Sequence, residues 1–140
     1  MSKNSFKVLR PGINTTFQDL GRDNLYHVGL PFSGAIDKRN FLIANSLITN
    51  KEDDAVLEFA YQGPLLEFSG GQTSIVITGN VNFKIIKKDT SEIKGECYRT
   101  YNLNNKDCLD IISTEKSVYG YLSVNGGFQL DKFCNSYSTT

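Results

Sequence analysis

The chain is poor in most of the features that make a protein's chemistry easy to name. It has a single histidine, His27, so any imidazole-based mechanism must use it, and beside Tyr26 that residue fits packing or surface exposure equally well. Its three cysteines, Cys97, Cys108 and Cys134, are widely spaced and form no C-x-x-C pair. That argues against a disulfide framework or a thiolate zinc site. It is consistent with a reducing, cytoplasmic setting in which the thiols serve as small buried apolar groups. There is no G-x-x-x-x-G-K-[ST] loop, no G-x-G-x-x-G fingerprint and no H-E-x-x-H pair, so no standard nucleotide or metal motif is present. Fifteen basic residues balance fifteen acidic ones, and the only lysine pair is Lys87-Lys88, so no nucleic-acid partner is expected. No apolar run approaches the ~20 residues that a membrane span needs. Met1 to Phe6 carry no apolar core of the kind a signal peptide uses, so neither membrane nor leader is expected.

What is present fits an ordinary globular domain. The 140 residues are 39% hydrophobic, enough for one domain with a sizeable core, and no internal repeat or low-complexity tract divides them. The densest polar feature runs from Arg10 to Asp37. It reads R-P-G-I-N-T-T-F-Q-D-L-G-R and then, after a short gap, Y-H-V-G-L-P-F-S-G-A-I-D. Glycine and proline mark tight turns there, and Thr15, Thr16, Gln18, Asp19, Arg22, Ser33 and Asp37 crowd hydrogen-bonding groups between them. Such a block either shapes a loop or lines a polar site.

One helix is predicted, from about Lys38 to Thr49. Asp37 is suited to cap it, and Ile36 and Phe41 to staple its start. Phe41, Ala44, Leu47 and Ile48 would supply the apolar stripe. Asn50 would supply the left-handed residue that ends it. The remainder reads as short strands: Val8 to Arg10, Ala55 to Phe59, Leu65 to Phe68, Thr73 to Thr78, Val81 to Ile85, Cys108 to Ile112 and Val118 to Val124. Many short strands with a single helix predict a mainly β, barrel-like module.

Several residues invite a chemical reading, each beside a structural one. Asp19 and Arg22 could be an acid–base carboxylate with an anion-binding guanidinium, or an ion pair that holds the loop. An arginine so close would lower the aspartate's pKa and weaken it as a base. Ser33 lacks the G-x-S-x-G elbow and reads as a turn residue, and Asp37 reads as the helix cap. Glu58, within Val56-Leu57-Glu58-Phe59, either faces outward by alternation or enters a pocket.

The Arg10–Asp37 block resembles the N-terminal half of the allophanate hydrolase subunit 2 family. So do Ala44-Asn45-Ser46-Leu47 with Asn50, Leu57-Glu58, Gly63-Pro64-Leu65 with Phe68, Ile77-Thr78-Gly79, and the run from Gly120 to Gly127, all in the family's order. The resemblance implies a cyclophilin-like β-barrel architecture and an N-terminal portion, residues 1–140, of a longer protein whose other half follows it. It implies first a component like the C subunit of ATP-dependent 5-oxoprolinase, with ATP and Mg bound through an assembly that includes A-like and B-like partner subunits. The family also includes biotin-dependent carboxyltransferase regions acting on urea or a related amide, and regulatory proteins that antagonise a kinase inhibitor. Biotin enters only under the carboxyltransferase reading. For a cyclic amide or urea-type substrate, Thr15, Thr16, Gln18, Arg22 and Ser33 are the expected binding set, gathered on one polar surface, with Asp19 as acid–base or orienting group. The chain departs from the family near its end, where Asn135-Ser136-Tyr137-Ser138-Thr139 stands for a Gly-Ser-Arg-Ser-Thr-like motif. Asn80 likewise replaces a small apolar residue.

Overall fold

A computed structural model describes residues 4–12, 15–18, 38–50, 54–114 and 119–127. The strands are β1 (Ser5–Arg10), β2 (Thr16–Gln18), β3 (Val56–Ala60), β4 (Leu65–Ser69), β5 (Gln72–Thr78) and β6 (Val81–Ile86), with apolar side chains alternating along β4 and β6. They continue as β7 (Glu92–Lys94), β8 (Thr100–Asn104), β9 (Cys108–Thr114) and β10 (Tyr119–Val124), and the one described helix, α1 (Lys38–Leu47), lies between β2 and β3. The strands form two five-stranded sheets, β1-β4-β9-β6-β7 and β2-β3-β10-β5-β8, with every pairing antiparallel. The mainly β fold with one clear helix is therefore as expected.

The inner faces of the sheets share one core. Leu57, Phe59, Ile75, Ile77 and Leu122 of the second sheet meet Leu66, Phe68, Phe83, Ile85, Leu109 and Ile111 of the first. Gly120 is required within it, because a Cβ there would lie 2.6 Å from both Phe59 and Val81. The sheets also join at their corners through backbone hydrogen bonds. Thr114 N–H donates to the Tyr61 carbonyl at 2.7 Å, tying β9 to the end of β3. On the other side, the segment after β7 donates from Gly95 N–H to Phe83 O and from Tyr98 N–H to Ile77 O, so it passes from one sheet to the other. These corners give the pair of sheets its barrel-like closure.

α1 covers the outer face of the second sheet through Phe41, Ala44 and Ile48, which pack on Val56, Val76 and Tyr121. Two expectations for this helix need correction. Leu47 is 41% exposed, whereas Asn45 is 1% exposed. At 100° per residue, position 45 falls beside 41 and 48 on the helix wheel while 47 points well away from them. The helix also ends at Leu47 instead of near Thr49, and its left-handed closing residue comes one position earlier than the sequence suggests. Thr49 N–H donates to Ser46 O and Asn50 N–H to Asn45 O, the paired bonds of a Schellman motif. Thr49 thus takes the left-handed conformation, at φ 59°, in place of Asn50. For a β-branched residue that costs about 1–3 kcal/mol, and the Asn50 side chain provides the compensating contacts described next. The expected cap and staple at Asp37 and Ile36 lie outside the described residues.

Candidate functional site

The face between α1 and the second sheet holds the chain's most concentrated set of buried polar groups among the described residues. At its lower end, Asn50 Nδ2 donates to Val124 O at 2.8 Å, to Ser123 Oγ at 3.1 Å and to Asn45 Oδ1 at 3.2 Å, and its Oδ1 accepts from Gly126 N–H at 2.8 Å. Ser123 Oγ donates to Asn45 Oδ1 at 2.9 Å, and Asn45 Nδ2 donates to Asp54 O at 2.9 Å. Two of the family-like segments therefore meet here, the one beginning at Ala44 and the one beginning at Gly120. Their amides fix the helix end to the last strand.

A second polar row crosses the sheet at mid-height. The ladder places Thr16 of β2 opposite Glu58 of β3, Glu58 opposite Tyr121 of β10, and Tyr121 opposite Thr78 of β5. Residues facing one another across an antiparallel ladder share a face, so Glu58, Tyr121 and Thr78 lie on the helix side, where Tyr121 packs with Phe41 and Ala44. Glu58 is 3% exposed, and its Oε2 accepts the Tyr121 hydroxyl at 2.5 Å. Thr78 Oγ1 donates to Asn40 O at 3.0 Å, and Tyr98 Oη donates to Asn40 Oδ1 at 2.7 Å while accepting from Gly79 N–H at 3.2 Å. One end of the row is thus held beneath α1 and the other reaches edge strand β2.

The start of the Arg10 block has an architectural role at the opposite corner. Arg10 Nη2 donates to Asp110 Oδ1 at 2.9 Å and to the carbonyls of Gly63 and Ile111 at 3.1 Å each. Gly12 rests on the Gly63–Pro64 peptide, where a Cβ would come within 2.9 Å of the backbone and collide with Thr15 Oγ1. Two further family-like segments, R-P-G and G-P-L, are therefore one joint.

Of the expected site residues, Thr15 is half-buried against Gly12, while Thr16 and Gln18 form the ends of β2, opposite Glu58 and Val56. The short strand runs through a stretch whose turn residues had suggested only loop. Asp19, Arg22 and Ser33 lie outside the described residues, as do His27 and Asp37. The Glu58–Tyr121 pair was missing from the expected set. Its signal was a carboxylate in an apolar strand, but the register that brings Tyr121 to it is not visible in either segment alone.

The two described cysteines, Cys97 and Cys108, are both biased away from the thiolate form. Burial pushes the Cys97 thiol above its ordinary pKa, and at Cys108 burial joins with the nearby Glu67, Asp107 and Asp110 carboxylates in the same direction. Both are only half-buried, not enclosed as small core groups. Among the described residues no three His, Cys, Asp or Glu side chains converge on a metal position, and no helix is long and apolar enough to cross a membrane.

The family model of the carboxyltransferase domain, subdomain A and B, matches residues 28–140. The chain is 29% identical to urea amidolyase of Saccharomyces cerevisiae over 136 residues, covering 96% of this chain and 7% of that protein. It is 32% identical to the C subunit of 5-oxoprolinase from Haemophilus influenzae over 124 residues, covering 89% of this chain and 38% of that protein. The crystal structure of K. lactis urea amidolyase superposes with a TM-score of 0.72 at 31% identity, over 87% of this chain and 7% of that one. The crystal structure of TTHA0988 gives 0.69 at 28%, over 89% of this chain and 45% of that one. The chain spans less than half the length of each of these relatives. With the model matching most of its length, the chain belongs to the carboxyltransferase-domain (subdomain A and B) family, consistent with the allophanate hydrolase subunit 2 family that its motifs resemble.

Proposed function

We propose that this chain is the N-terminal portion of a component like the C subunit of an ATP-dependent 5-oxoprolinase, acting with A-like and B-like partner subunits to open a cyclic amide to glutamate. The observation that carries this reading is the likeness to a 5-oxoprolinase C subunit, of whose length the chain fills a larger share than it does of urea amidolyase. Opening an amide places negative charge on the carbonyl oxygen, and preorganised donors stabilise that charge. In this reading Thr15, Thr16, Gln18, Arg22 and Ser33 hold the substrate and Asp19 moves or orients the proton. The sequence carries no standard nucleotide motif, so Mg-ATP is assigned to the assembled partners and no step here passes through it.

A second reading is a carboxyltransferase that moves a carboxyl group from carboxybiotin to urea or a related amide. The family model and the likeness to K. lactis urea amidolyase favour it. One experiment separates the two. The full-length protein, combined with its A-like and B-like partners, is assayed for ATP-dependent glutamate release from 5-oxoproline and, in parallel, for carboxylation of urea from carboxybiotin. Glutamate release supports the first reading, urea carboxylation alone supports the second, and neither activity overturns both. The 140-residue chain by itself is expected to turn over neither substrate. Gln18→Ala and Arg22→Ala should lower the rate of the assembled complex, and full activity in both would remove the block from the site.

A further inference from the structure

The turn after β10 carries the only Asn-Gly pair in the chain, Asn125-Gly126. An asparagine before glycine can react with its own backbone. The glycine nitrogen attacks the asparagine Cγ, the Cγ–Nδ2 bond breaks, and the displaced nitrogen takes the glycine's amide proton and leaves as ammonia. Water then opens the five-membered imide at either carbonyl, giving aspartate or its β-linked isomer. Glycine favours the step because no Cβ shields its nitrogen.

The local geometry exposes the reacting groups but tethers one of them. Asn125 and Gly126 are exposed, and no hydrogen bond holds the Asn125 carboxamide among the described residues. A Cβ at Gly126 would meet nothing within 4 Å, so no neighbour blocks movement there. Gly127 N–H donates to Val124 O at 2.8 Å and Gly126 has φ 86°, while Asn125 is not among the residues of positive φ. That is a type II turn, in which the peptide after Asn125 is turned away from the Asn125 side chain. Ring closure requires this peptide to swing round. Gly126 N–H is tied to Asn50 Oδ1 at 2.8 Å, and Asn50 Nδ2 is itself held by Val124 O, so the swing must break the tie.

We propose that Asn125 is a site of spontaneous deamidation and that Asn50 is the latch that sets its rate. The chemistry uses water alone, needs no substrate or partner, and stands apart from the amide site proposed above. Its products also act back on the latch. The β-linked isomer inserts the Cβ carbon into the main chain before Gly126, which moves the Gly126 amide off Asn50. The helix end then loses its bond to the turn after β10.

The test incubates the chain in mildly alkaline buffer, folded and in parallel unfolded in guanidinium chloride. Conversion at residue 125 is followed by peptide mass and by an isoaspartate assay. The unfolded chain should convert at Asn125, and the folded wild type should do so at least about 5-fold more slowly, the factor that one net hydrogen bond supplies. Asn50→Ala should remove most of that protection. Leu66→Ala, which loosens the shared core and leaves the Asn50–Gly126 bond in place, should remove less at an equal loss of thermal midpoint. Asn125→Gln cannot close the five-membered ring and should lose the signal. No conversion at Asn125 in the unfolded chain, or equal rates in the folded and unfolded wild type, would overturn the inference, and neither comparison needs a variant to fold. Protection lost as fully in Leu66→Ala as in Asn50→Ala would also overturn it, because general loosening and not the latch would then set the rate.

Discussion

The second sheet carries α1 across its outer face, while the described residues on the outer face of the first sheet are open to solvent. Both sheets bury their inner faces in one shared core, so the contrast lies entirely outside it. On the covered face Glu58, Tyr121, Thr78, Ser123 and Asn45 are polar and almost fully buried, each hydrogen-bonded to a named neighbour. On the open face the ladder places Lys7 opposite Glu67, Glu67 opposite Cys108, and Cys108 opposite Ile86, all half-buried or exposed. Polar groups in water exchange partners at little cost, but the same groups in a dry layer are fixed by the few bonds available to them. One face can therefore hold a fixed polar arrangement and the other cannot. Substitutions should sort by face.

The largest effect is expected where the cover is anchored. Phe41 is fully buried among Val56, Val76 and Tyr121. Phe41→Ala should cost about 3–5 kcal/mol of unfolding free energy, measured by denaturant titration. A loss below about 1 kcal/mol would mean that α1 is not what keeps that face dry. Next comes Asn50→Ala, which removes an amide whose two N–H hydrogens are shared among three acceptors and whose oxygen accepts one bond, joining the helix end to β10 and the turn after it. It also leaves Thr49 in its left-handed conformation without that support. About 2–3 kcal/mol is expected. An equal loss from Ile112→Ala, a 42% exposed residue on the first sheet, would erase the difference between the faces.

Only part of this contrast could be read from the sequence. Strands β5, β6 and β10 announced themselves through β-branched and alternating apolar residues. β7 did not, since Glu92, Ile93 and Lys94 are all exposed and bury nothing that would leave a pattern. β8 buries only Leu103, between asparagines that disfavour strands, and its pairing with β5 supplies what propensity does not. α1 begins at Lys38 as expected, while the cap and staple that suggested that start lie outside the described residues. Its end was not legible, because the closing geometry depends on Asn50 reaching β10, 74 residues away in sequence. The same holds for the candidate site. Glu58 stood out in its strand, but alternation could not decide between solvent and pocket, because β3 is buried on both faces. Cross-strand register decided it.

A sharper test of buried charge uses Asp107, in the turn between β8 and β9. Burial pushes its carboxyl pKa up, but the bonds from Asn104 N–H, from Lys87 Nζ at 2.9 Å and from Lys88 N–H outweigh burial and hold it below the ordinary carboxylate value. A lowered folded-state pKa means that the unfolded chain binds protons more readily. The associated stability is therefore complete above the unfolded value, near pH 3.9, and is lost as pH falls through the lower folded one. Unfolding followed from pH 7 to pH 2 should show a steeper acid loss in the wild type than in Asp107→Asn. Parallel curves would assign the acid sensitivity to other carboxylates.

The smallest effect belongs to the open face and is as diagnostic as the largest. Lys84 Nζ lies 3.3 Å from Glu92 Oε2, joining β6 to β7, and the two side chains are 31% and 55% exposed. An exposed pair gains little from Coulomb attraction, because water screens it and two long side chains must give up freedom to meet. A double-mutant cycle with Lys84→Ala and Glu92→Ala should return a coupling energy of about 0–0.5 kcal/mol, falling further in 1 M salt. The register supplies a reason to expect the low end: Lys94 stands directly opposite Lys84 in the ladder, so a like charge shares the position and offsets the attraction. Lys94→Ala should then strengthen the Lys84–Glu92 coupling. A coupling above about 1.5 kcal/mol in the unaltered pair would show that this edge is more enclosed than its exposure indicates, and the contrast between the two faces would have to be redrawn at β7.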